Sequence, residues 1–307
     1  MRVLVIGGGG FIGRNTAEKL LRSEHDVRIY TKTMDADPLD CIYYQRDLMA
    51  DESIEELLEG VQAVLYFVTV STPITSMKNP SLVYNMDIPM LVKVLDACVR
   101  KKVRRLVFAS SGGTIYGESS QMNTEESATW PLCHYAIGKL TCEKLLQLYN
   151  NLYGMENVIL RISNPYGLGQ NPNTGVGAIT VFTNQILQGK SITIYGDGNA
   201  TRDFVDVSYV AQAFEKALKW KFDRSISPVF NIGSGKALTL KQVVALISRA
   251  ISEPVNIVYQ PKRAYDVQNS ALSIEKAINV LDYLPPKCLE NEIIDYAITL
   301  RSLHRRG

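Results

Sequence analysis

The chain has 307 residues, of which 46% are hydrophobic and 21% charged, and these are ordinary values for a globular protein. A formal net charge of +2, with no apolar run of the roughly 18 residues that a membrane span needs, favours neither nucleic acid nor membrane as a partner. Because the five cysteines show no C-x-x-C spacing and the three histidines are scattered, we expect a cytoplasmic protein without a metal site.

The first half of the chain alternates apolar strands with amphipathic helices. In chain order the predicted strands lie in RVLVIG, HDVRIYT, CIYYQRDL, QAVLYFVT, VRRLVFASS and NVILRIS. The predicted helices include NTAEKLLRS, ESIEELLEG and the long run LVYNMDIPMLVKVLDACVR. Such alternation is typical of right-handed βαβ units, so we predict an α/β fold with a Rossmann-type doubly wound parallel sheet in residues 1–163.

Four consecutive glycines follow the first predicted strand and precede the first predicted helix. They fit G-x-G-x-x-G over Gly8, Gly10 and Gly13, and also G-x-x-G-x-x-G, which begins at Gly7. Either spacing brings backbone N–H groups and a helix N-terminus against a pyrophosphate, where a side chain would block the approach. Because the strand and the helix supply the context that the motif requires, we predict a dinucleotide site.

Several segments that are distant in sequence follow predicted strands. Ligands of open parallel sheets bind beyond the carboxyl ends of the strands. We therefore expect one crevice to bring together the glycine loop, Thr31, Asp47, the segment from Phe67, and the stretches SSGGTIYG and SNPYG.

The alternation weakens after about residue 164, where Gly, Asn and Pro become frequent. We predict loops over NPYGLGQNPNTGVG and YGDGNATRDF, followed by shorter helices and strands. Residues 164–307 are therefore expected to form a smaller α/β domain that binds the substrate. This domain is predicted to be discontinuous, since PVFNIGSG contains a strand near 229–232 that would rejoin the main sheet.

Tyr135 stands four residues before Lys139 in the segment WPLCHYAIGK. On a helix this spacing places both side chains on one face. A second Y-x-x-x-K match, Tyr283 to Lys287, contains two prolines and is predicted not to be helical. Tyrosine has a pKa near 10 in water and is a poor base unless a nearby cation stabilises its phenolate, so the first match predicts an acid–base pair.

Seven motifs in order resemble the extended short-chain dehydrogenase/reductase family. They are GGGGFIG, SSGGTIYG, YAIGK, LRISNPYG, IYGDGNATRDFVDV, VFNIGSGKALTL and KRAYDV. Within that family the chain looks like the nucleotide-sugar epimerases, dehydratases and reductases typified by UDP-galactose 4-epimerase. The resemblance extends from residue 1 to about residue 275.

The resemblance implies a role for each matching residue. Tyr135 would exchange a proton with a sugar hydroxyl, and Lys139 would support the phenolate and hold the nicotinamide ribose. The implied cofactor contacts are these two residues with Gly7, Gly10, Phe11, Ile12, Gly13, Arg14, Thr31, Lys32, Asp47, Leu48 and Phe67. The implied contacts to a nucleotide-diphosphate sugar are Thr114, Asn164, Arg202 and Arg263, and arginine suits a diphosphate because its planar fork pairs with phosphate oxygens.

The chain departs from the family pattern around the catalytic centre. The usual catalytic serine or threonine is replaced by Gly112, so Ser111 or Thr114 is expected to supply that hydroxyl. The Asp-Glu pair of the dehydratases is absent at Gly113 and Thr114, which argues against a 4,6-dehydratase. Asp87 stands where an asparagine is usual.

The second predicted strand ends in Thr31 and Lys32 instead of the acidic residue that binds the ribose of NAD. With Arg14 nearby, these residues would also accept a 2′-phosphate, so the cofactor is predicted to be NAD or NADP. Three functions follow from the sequence: a nucleotide-sugar 4-epimerase first, a 4-keto-sugar reductase second, and a non-catalytic dinucleotide sensor third. A homodimer is expected through helices around 82–101 and 135–152.

Overall fold

A computed structural model describes residues 1–34, 36–52 and 54–305 of the chain. The described strands are β1 (Arg2–Ile6), β2 (Asp26–Thr31), β3 (Ile42–Gln45), β4 (Ala63–Tyr66), β5 (Arg105–Ser111), β6 (Val158–Ile162), β7 (Asn164–Tyr166), β8 (Ile192–Tyr195), β9 (Thr201–Asp206), β10 (Val229–Ile232), β11 (Ala237–Thr239), β12 (Ile257–Gln260) and β13 (Asn269–Ser270). The described α-helices are α1 (Phe11–Arg22), α2 (Ile54–Leu57), α3 (Pro73–Lys78), α4 (Ile88–Arg100), α5 (Gly112–Ile115), α6 (His134–Tyr153), α7 (Ala178–Leu187), α8 (Val207–Lys219), α9 (Leu240–Ile251), α10 (Glu275–Leu281) and α11 (Leu289–His304).

Seven parallel strands form the main sheet in the order β10-β6-β5-β4-β1-β2-β3. Strands β1, β4 and β5 are almost wholly buried, because helices cover both faces of the sheet. The order reverses beside β1, and a reversal of this kind opens a crevice at the carboxyl ends of the strands. The predicted doubly wound α/β fold is confirmed.

The predicted long helix over 82–100 is divided into two parts. Val83–Asp87 forms a π-helical turn, and the regular helix α4 begins only at Ile88. Pro89 supplies a physical reason, because proline has no N–H to continue the i to i−4 ladder. The turn ends on Asp87.

Two short helices follow β4 and β5 and were missed by the sequence analysis. Helix α3 begins at Pro73 after Thr72, whose hydroxyl accepts from Thr75 N while the Thr75 hydroxyl accepts from Thr72 N. Helix α5 lies inside the stretch SSGGTIYG, where the sequence indicated only a loop. The proline-containing segment 283–287 is not helical, as predicted.

The second half contains a cluster of buried residues separate from those that line the main sheet, including Ile179, Ile192, Phe204, Val243 and Ile293. Both predicted loops were wrong in part, because the first three residues of NPYGLGQNPNTGVG form β7 and the last four residues of YGDGNATRDF begin β9. This strand pairs with β7, β11 and β13. The predicted strand near 229–232 is β10, which pairs in parallel with β6 at the edge of the main sheet.

Among the residues that the structure describes, no helix combines the length and the apolarity that a membrane span requires.

Candidate active site

The glycine loop connects β1 to α1 in a conformation that other residues would not tolerate. Gly7 has φ +86°, and its carbonyl accepts a hydrogen bond from Gly10 N at 3.0 Å. A Cβ on Gly13 would collide with the same Gly7 carbonyl, so the first turn of α1 packs directly on the loop. Gly8 instead faces Ile29 in the core. The spacing that faces the crevice is therefore the one that begins at Gly7.

The N-terminus of α1 is free of side-chain caps. Gly10 occupies the N-cap position, no side chain caps the helix, and the first turn carries no acidic residue. The first N–H groups of the helix are thus available to an anion, and the helix dipole favours one there.

A cleft of about 340 Å³ lies at the carboxyl ends of the parallel strands. The glycine loop forms one end, Tyr135 and Lys139 form the other, and Phe67 lies along one side against the ring of Phe214 at 4.5 Å. The lining residues are Gly7, Gly10, Phe11, Ile12, Gly13, Phe67, Thr69, Ala109, Ser110, Ser111, Tyr135, Lys139, Ile162, Ser163 and Pro165. The glycine loop, the segment from Phe67 and the stretches SSGGTIYG and SNPYG therefore converge on one crevice as predicted, whereas Thr31 and Asp47 do not line it.

Tyr135 and Lys139 lie one turn apart near the start of α6. The Lys139 ammonium donates to the Ala109 carbonyl at 2.8 Å and lies 5.7 Å from the centre of the Tyr135 ring. Burial lowers the pKa of Lys139, while the carboxylates of Asp87 and Glu143 act in the opposite direction. Burial also raises the pKa of Tyr135, and the negative charge of Asp87 adds to that rise.

A chain of hydroxyl groups leads to the phenol. Thr114 donates to the Ser111 hydroxyl at 2.8 Å, and a hydrogen bond with Ser111 partly offsets the rise that burial causes in the pKa of Tyr135. Gly112 has no room for the usual serine, because an added Cβ would lie 2.5 Å from Leu272 Cδ1 and 2.9 Å from the Arg161 carbonyl. Ser111 is thus the hydroxyl next to Tyr135, with Thr114 behind it.

The residues around the end of β2 form a separate group. Thr31 is buried, and its hydroxyl donates to the Thr33 carbonyl at 2.9 Å. The Lys32 ammonium lies 2.7 Å from an oxygen of Asp47. Leu48 lies in the core, 3% exposed, so its side chain is turned away from the crevice.

A second cleft of about 270 Å³ adjoins the N-terminus of α1. Arg14 lines it together with Gly9, Gly10, Phe11, Asn15, Ala36, Asp37 and Gly169. Asp37 was missed by the sequence analysis, because it follows the end of β2 by six residues and no strand pattern marks its position.

The predicted substrate residues lie on the second half of the chain. Asn164 donates to the Asp203 carbonyl at 2.9 Å, and its side chain lies near Gly113. The Arg202 guanidinium donates to the Thr201 carbonyl at 2.8 Å, and burial lowers its pKa.

Arg263 is the second arginine of this group. It donates to Asp266 at 2.8 Å and stacks on the ring of Tyr195 at 4.2 Å. Its positive charge also contributes to lowering the pKa of Arg202, so the two guanidinium groups are electrostatically coupled.

Comparison with known proteins agrees with this geometry. Residues 3–233 match the model of the NAD dependent epimerase/dehydratase family. A Methanocaldococcus jannaschii protein, provisionally named a UDP-glucose 4-epimerase, is 34% identical over 284 residues, which are 90% of each chain. The Escherichia coli dTDP-4-dehydro-6-deoxyglucose reductase is 29% identical to this chain, in an alignment that covers 95% of each of the two chains.

A solved structure has the same architecture over nearly the whole length. The crystal structure of UDP-glucose 4-epimerase from Thermotoga maritima with UDP-glucose aligns with a TM-score of 0.92 and 28% identity. The alignment covers 99% of this chain and all of that one. The glycine loop, the Tyr135–Lys139 pair and these likenesses together show that the chain is an enzyme of the NAD-dependent epimerase/dehydratase family.

Proposed function

We propose that the protein is a nucleotide-sugar 4-epimerase that acts on a UDP-linked sugar with NAD as its cofactor. The observation that carries the proposal is the placement of Tyr135, Lys139 and Ser111 along one cleft with the glycine loop. The similarity to UDP-glucose 4-epimerases supports the choice of reaction and of nucleotide.

The residues of the cleft fit a dinucleotide. The α1 N-terminus lacks a side-chain cap, and Gly7, Gly10 and Gly13 leave its N–H groups open to a pyrophosphate. Lys139 would hold the nicotinamide ribose, and Phe67 would form a side wall of the site. When bound, NAD would supply reversible oxidation at C4 of the sugar.

Tyr135 would hold and move the proton in this reaction. Its phenolate removes the proton of the sugar 4-hydroxyl, and its phenol returns a proton to the same oxygen after the sugar has turned over. The neighbouring Lys139 ammonium stabilises the phenolate, and Ser111 hydrogen-bonds the phenol and the sugar oxygen. Thr114 orients Ser111 through their 2.8 Å hydrogen bond.

Arg202, Arg263 and Asn164 would hold the nucleotide diphosphate, with Thr114 contacting the sugar. Burial lowers the pKa of Arg202 and the charge of Arg263 adds to this effect, so a dianionic ligand beside them would stabilise the buried guanidinium. Asp266 fixes the guanidinium plane of Arg263 through the bond at 2.8 Å.

We propose NAD over NADP as the cofactor. Lys32 is neutralised by Asp47 at 2.7 Å, and Asp37 adds a carboxylate to the cleft that Arg14 lines. An additional 2′-phosphate would therefore meet two carboxylates as well as the two cations. Titration of the cofactor-free protein with NAD and with NADP tests this choice. The substitution Asp37→Asn should reduce the difference between the affinities for NAD and for NADP.

The main experiment examines purified protein for bound cofactor and for turnover. We expect NAD to be released on denaturation, and UDP-glucose and UDP-galactose to interconvert without added cofactor. A panel of UDP-, dTDP-, GDP- and CDP-sugars would identify the base and the sugar. Protein that binds NAD and converts no member of the panel would contradict the proposal.

A 4-keto-sugar reductase is the second candidate. The similarity to the E. coli reductase favours it, and so does the raised pKa of Tyr135, because a protonated phenol is the form that donates to a ketone. Consumption of added NADPH or NADH with a dTDP- or UDP-linked 4-keto sugar, by protein isolated without cofactor, would favour this activity.

The organisation of the chain is proposed on the same basis. Residues 1–163 would bind the dinucleotide and residues 164–307 the nucleotide sugar. A homodimer would form through α4 and α6, since α6 exposes Leu148, Leu152 and Tyr153. The cytoplasm is the proposed compartment, because all five cysteines are free thiols.

A further inference from the structure

A second, much smaller cavity lies on the other side of the Tyr135–Lys139 pair. It measures about 10 Å³, the size that holds one water molecule. It is lined by Tyr66, Val68, Thr69, Asp87, Phe108, Tyr135, Gly138, Lys139 and Cys142. Because bulk solvent has so little room there, charges around this cavity interact more strongly than they would at an open surface.

Asp87 is the carboxylate of this cavity, and it is tied to the segment after β4 by several hydrogen bonds. One oxygen accepts from Val70 N at 2.6 Å, and the other accepts from Ser71 N at 3.3 Å and from the Thr69 hydroxyl at 3.2 Å. The Ser71 hydroxyl also donates to this second oxygen. Thr69 lines both the small cavity and the main cleft, so Asp87 fixes a wall that the two share.

The charges that face the phenol come from several elements. Burial raises the pKa of Tyr135 most, the Asp87 carboxylate adds to the rise, and a hydrogen bond with Ser111 opposes it. Burial also raises the pKa of the neighbouring Cys133 and Cys142 thiols. The Lys139 ammonium lies 5.7 Å from the centre of the Tyr135 ring. Glu143 forms a buried ion pair with the Arg161 guanidinium at 2.7 Å. The remaining titratable group of the cavity is the buried hydroxyl of Tyr66. Because Glu143 is paired with Arg161, Asp87 supports the Lys139 ammonium more strongly than Glu143 does.

We propose that Asp87 is a positioning residue that anchors segment 69–71 as a wall of the catalytic cleft and sets the protonation balance between Tyr135 and Lys139. The π-helical turn Val83–Asp87 serves this role, since it delivers the carboxylate to the cavity one residue before α4 begins. Removing the charge leaves the Lys139 ammonium unopposed, so the phenolate becomes easier to form. The effect on turnover rests on the proposed epimerase function, whereas the anchoring does not.

The charge is tested by the pH profile of kcat for Asp87→Asn, which keeps the shape of the side chain. We expect the acidic limb of the profile to move to lower pH by about one unit, because an anion near the phenol is lost. Asp96→Asn is the matched control, since Asp96 lies on α4, which follows Asp87 directly, and its carboxylate accepts a hydrogen bond from the Tyr149 hydroxyl at 2.5 Å outside the cavity. An acidic limb that stays at the wild-type pH in Asp87→Asn would overturn the assignment of the charge.

The anchoring is tested by amide hydrogen exchange, which needs no substrate. In Asp87→Ala we expect the Val70 and Ser71 amides to exchange at least about tenfold faster, while Asp96→Ala leaves them at the wild-type rate. Unchanged exchange in Asp87→Ala would overturn the anchoring. If the wild-type protein converts no nucleotide sugar, the proposed function fails, and the exchange rates still decide whether Asp87 holds this wall.

Discussion

The candidate site has two parts that are built in different ways: a cofactor wall that lines the cleft, and a proposed substrate wall that contains Asn164, Arg202 and Arg263. The cofactor wall consists of a loop, a helix start and one helical turn, each formed by residues close together in sequence, such as Gly7 with Gly13 and Tyr135 with Lys139. The substrate wall joins distant segments, because β9 pairs with β7, β11 and β13.

The two walls are proposed to have different roles, the first in the reaction and the second in binding the nucleotide. The groups proposed to move protons lie on α6 and at the end of β5, where burial and backbone contacts hold them in place, as the Ala109 carbonyl holds Lys139. The groups that would recognise the nucleotide lie on strands and loops of the smaller half, where Arg202 contacts carbonyls from two segments. Substitutions in the first wall should therefore change kcat, and those in the second should change KM.

The largest expected effect is that of Tyr135→Phe. Loss of the phenol proton should lower kcat by about 10²–10⁴-fold, the usual contribution of an acid–base group. Binding of NAD should change little, which calorimetry on the variant would check. Tyr153→Phe is the control, since Tyr153 lies on the same helix and is 54% exposed. A Tyr135→Phe enzyme with wild-type kcat would break the assignment of chemistry to this wall.

A smaller effect is expected at the substrate wall. Arg263→Ala should raise KM by about 10–100-fold, because charge-assisted hydrogen bonds contribute about 1.5–3 kcal/mol each. Its effect on kcat should be much weaker. The exposed Arg249 on α9 provides the control substitution to Ala. If steady-state kinetics showed that Arg263→Ala lowers kcat and leaves KM unchanged, the proposal that the substrate wall acts through KM would be wrong.

Gly112→Ser tests how the two halves meet, because Leu272 of the second half packs against Gly112. The new Cβ would lie 2.5 Å from Leu272 Cδ1, so we expect a loss of about 1–3 kcal/mol in the free energy of unfolding. We also expect no gain in kcat, although the family serine is restored. Gly113→Ser is the control, since its nearest neighbours would lie at 3.4 Å, and equal thermal stability of the two variants would contradict the expectation.

The smallest expected effect is a pH dependence of stability at Asp203. Burial raises the pKa of this carboxyl from 3.8 to about 6, although Ser234 and Gly235 donate hydrogen bonds to it. A raised pKa in the folded state means that the group's contribution to stability is complete below about pH 3.8 and is lost as the pH rises through about 6.

The measurement compares the Tm of the wild-type protein with that of Asp203→Asn at several pH values. As the pH falls from 7 to 4, the free energy of unfolding of the wild-type protein should rise relative to that of the variant by on the order of 1 kcal/mol. This corresponds to a few degrees in Tm. A constant difference in Tm across this range would show that Asp203 keeps an ordinary pKa, and would locate the pH sensitivity elsewhere.

Much of the cofactor wall was predicted from local patterns. The strand, glycine loop and helix of residues 2–22 follow from spacing alone, and the Tyr135–Lys139 pair follows from one helical turn. Such features depend on neighbours in sequence, for which propensity and periodicity are direct evidence. The substrate wall was predicted less well, and residues 201–204 of β9 were placed in a loop, because the pairing partners of this strand are far away in the chain.

Sequence by itself determined the fold class, the glycine loop and the placement of Tyr135 and Lys139 on one helix face, since each rests on the period of a helix or a strand. Only the tertiary structure decided which glycine faces the cleft, that Ser111 and not Gly112 lies beside the phenol, and that Asp87 reaches the pair from the other side. Lys32 and Asp47 likewise become partners only when β2 and β3 lie side by side. These outcomes depend on contacts between segments that are distant in sequence, and such contacts produce no helix or strand periodicity from which they could be predicted.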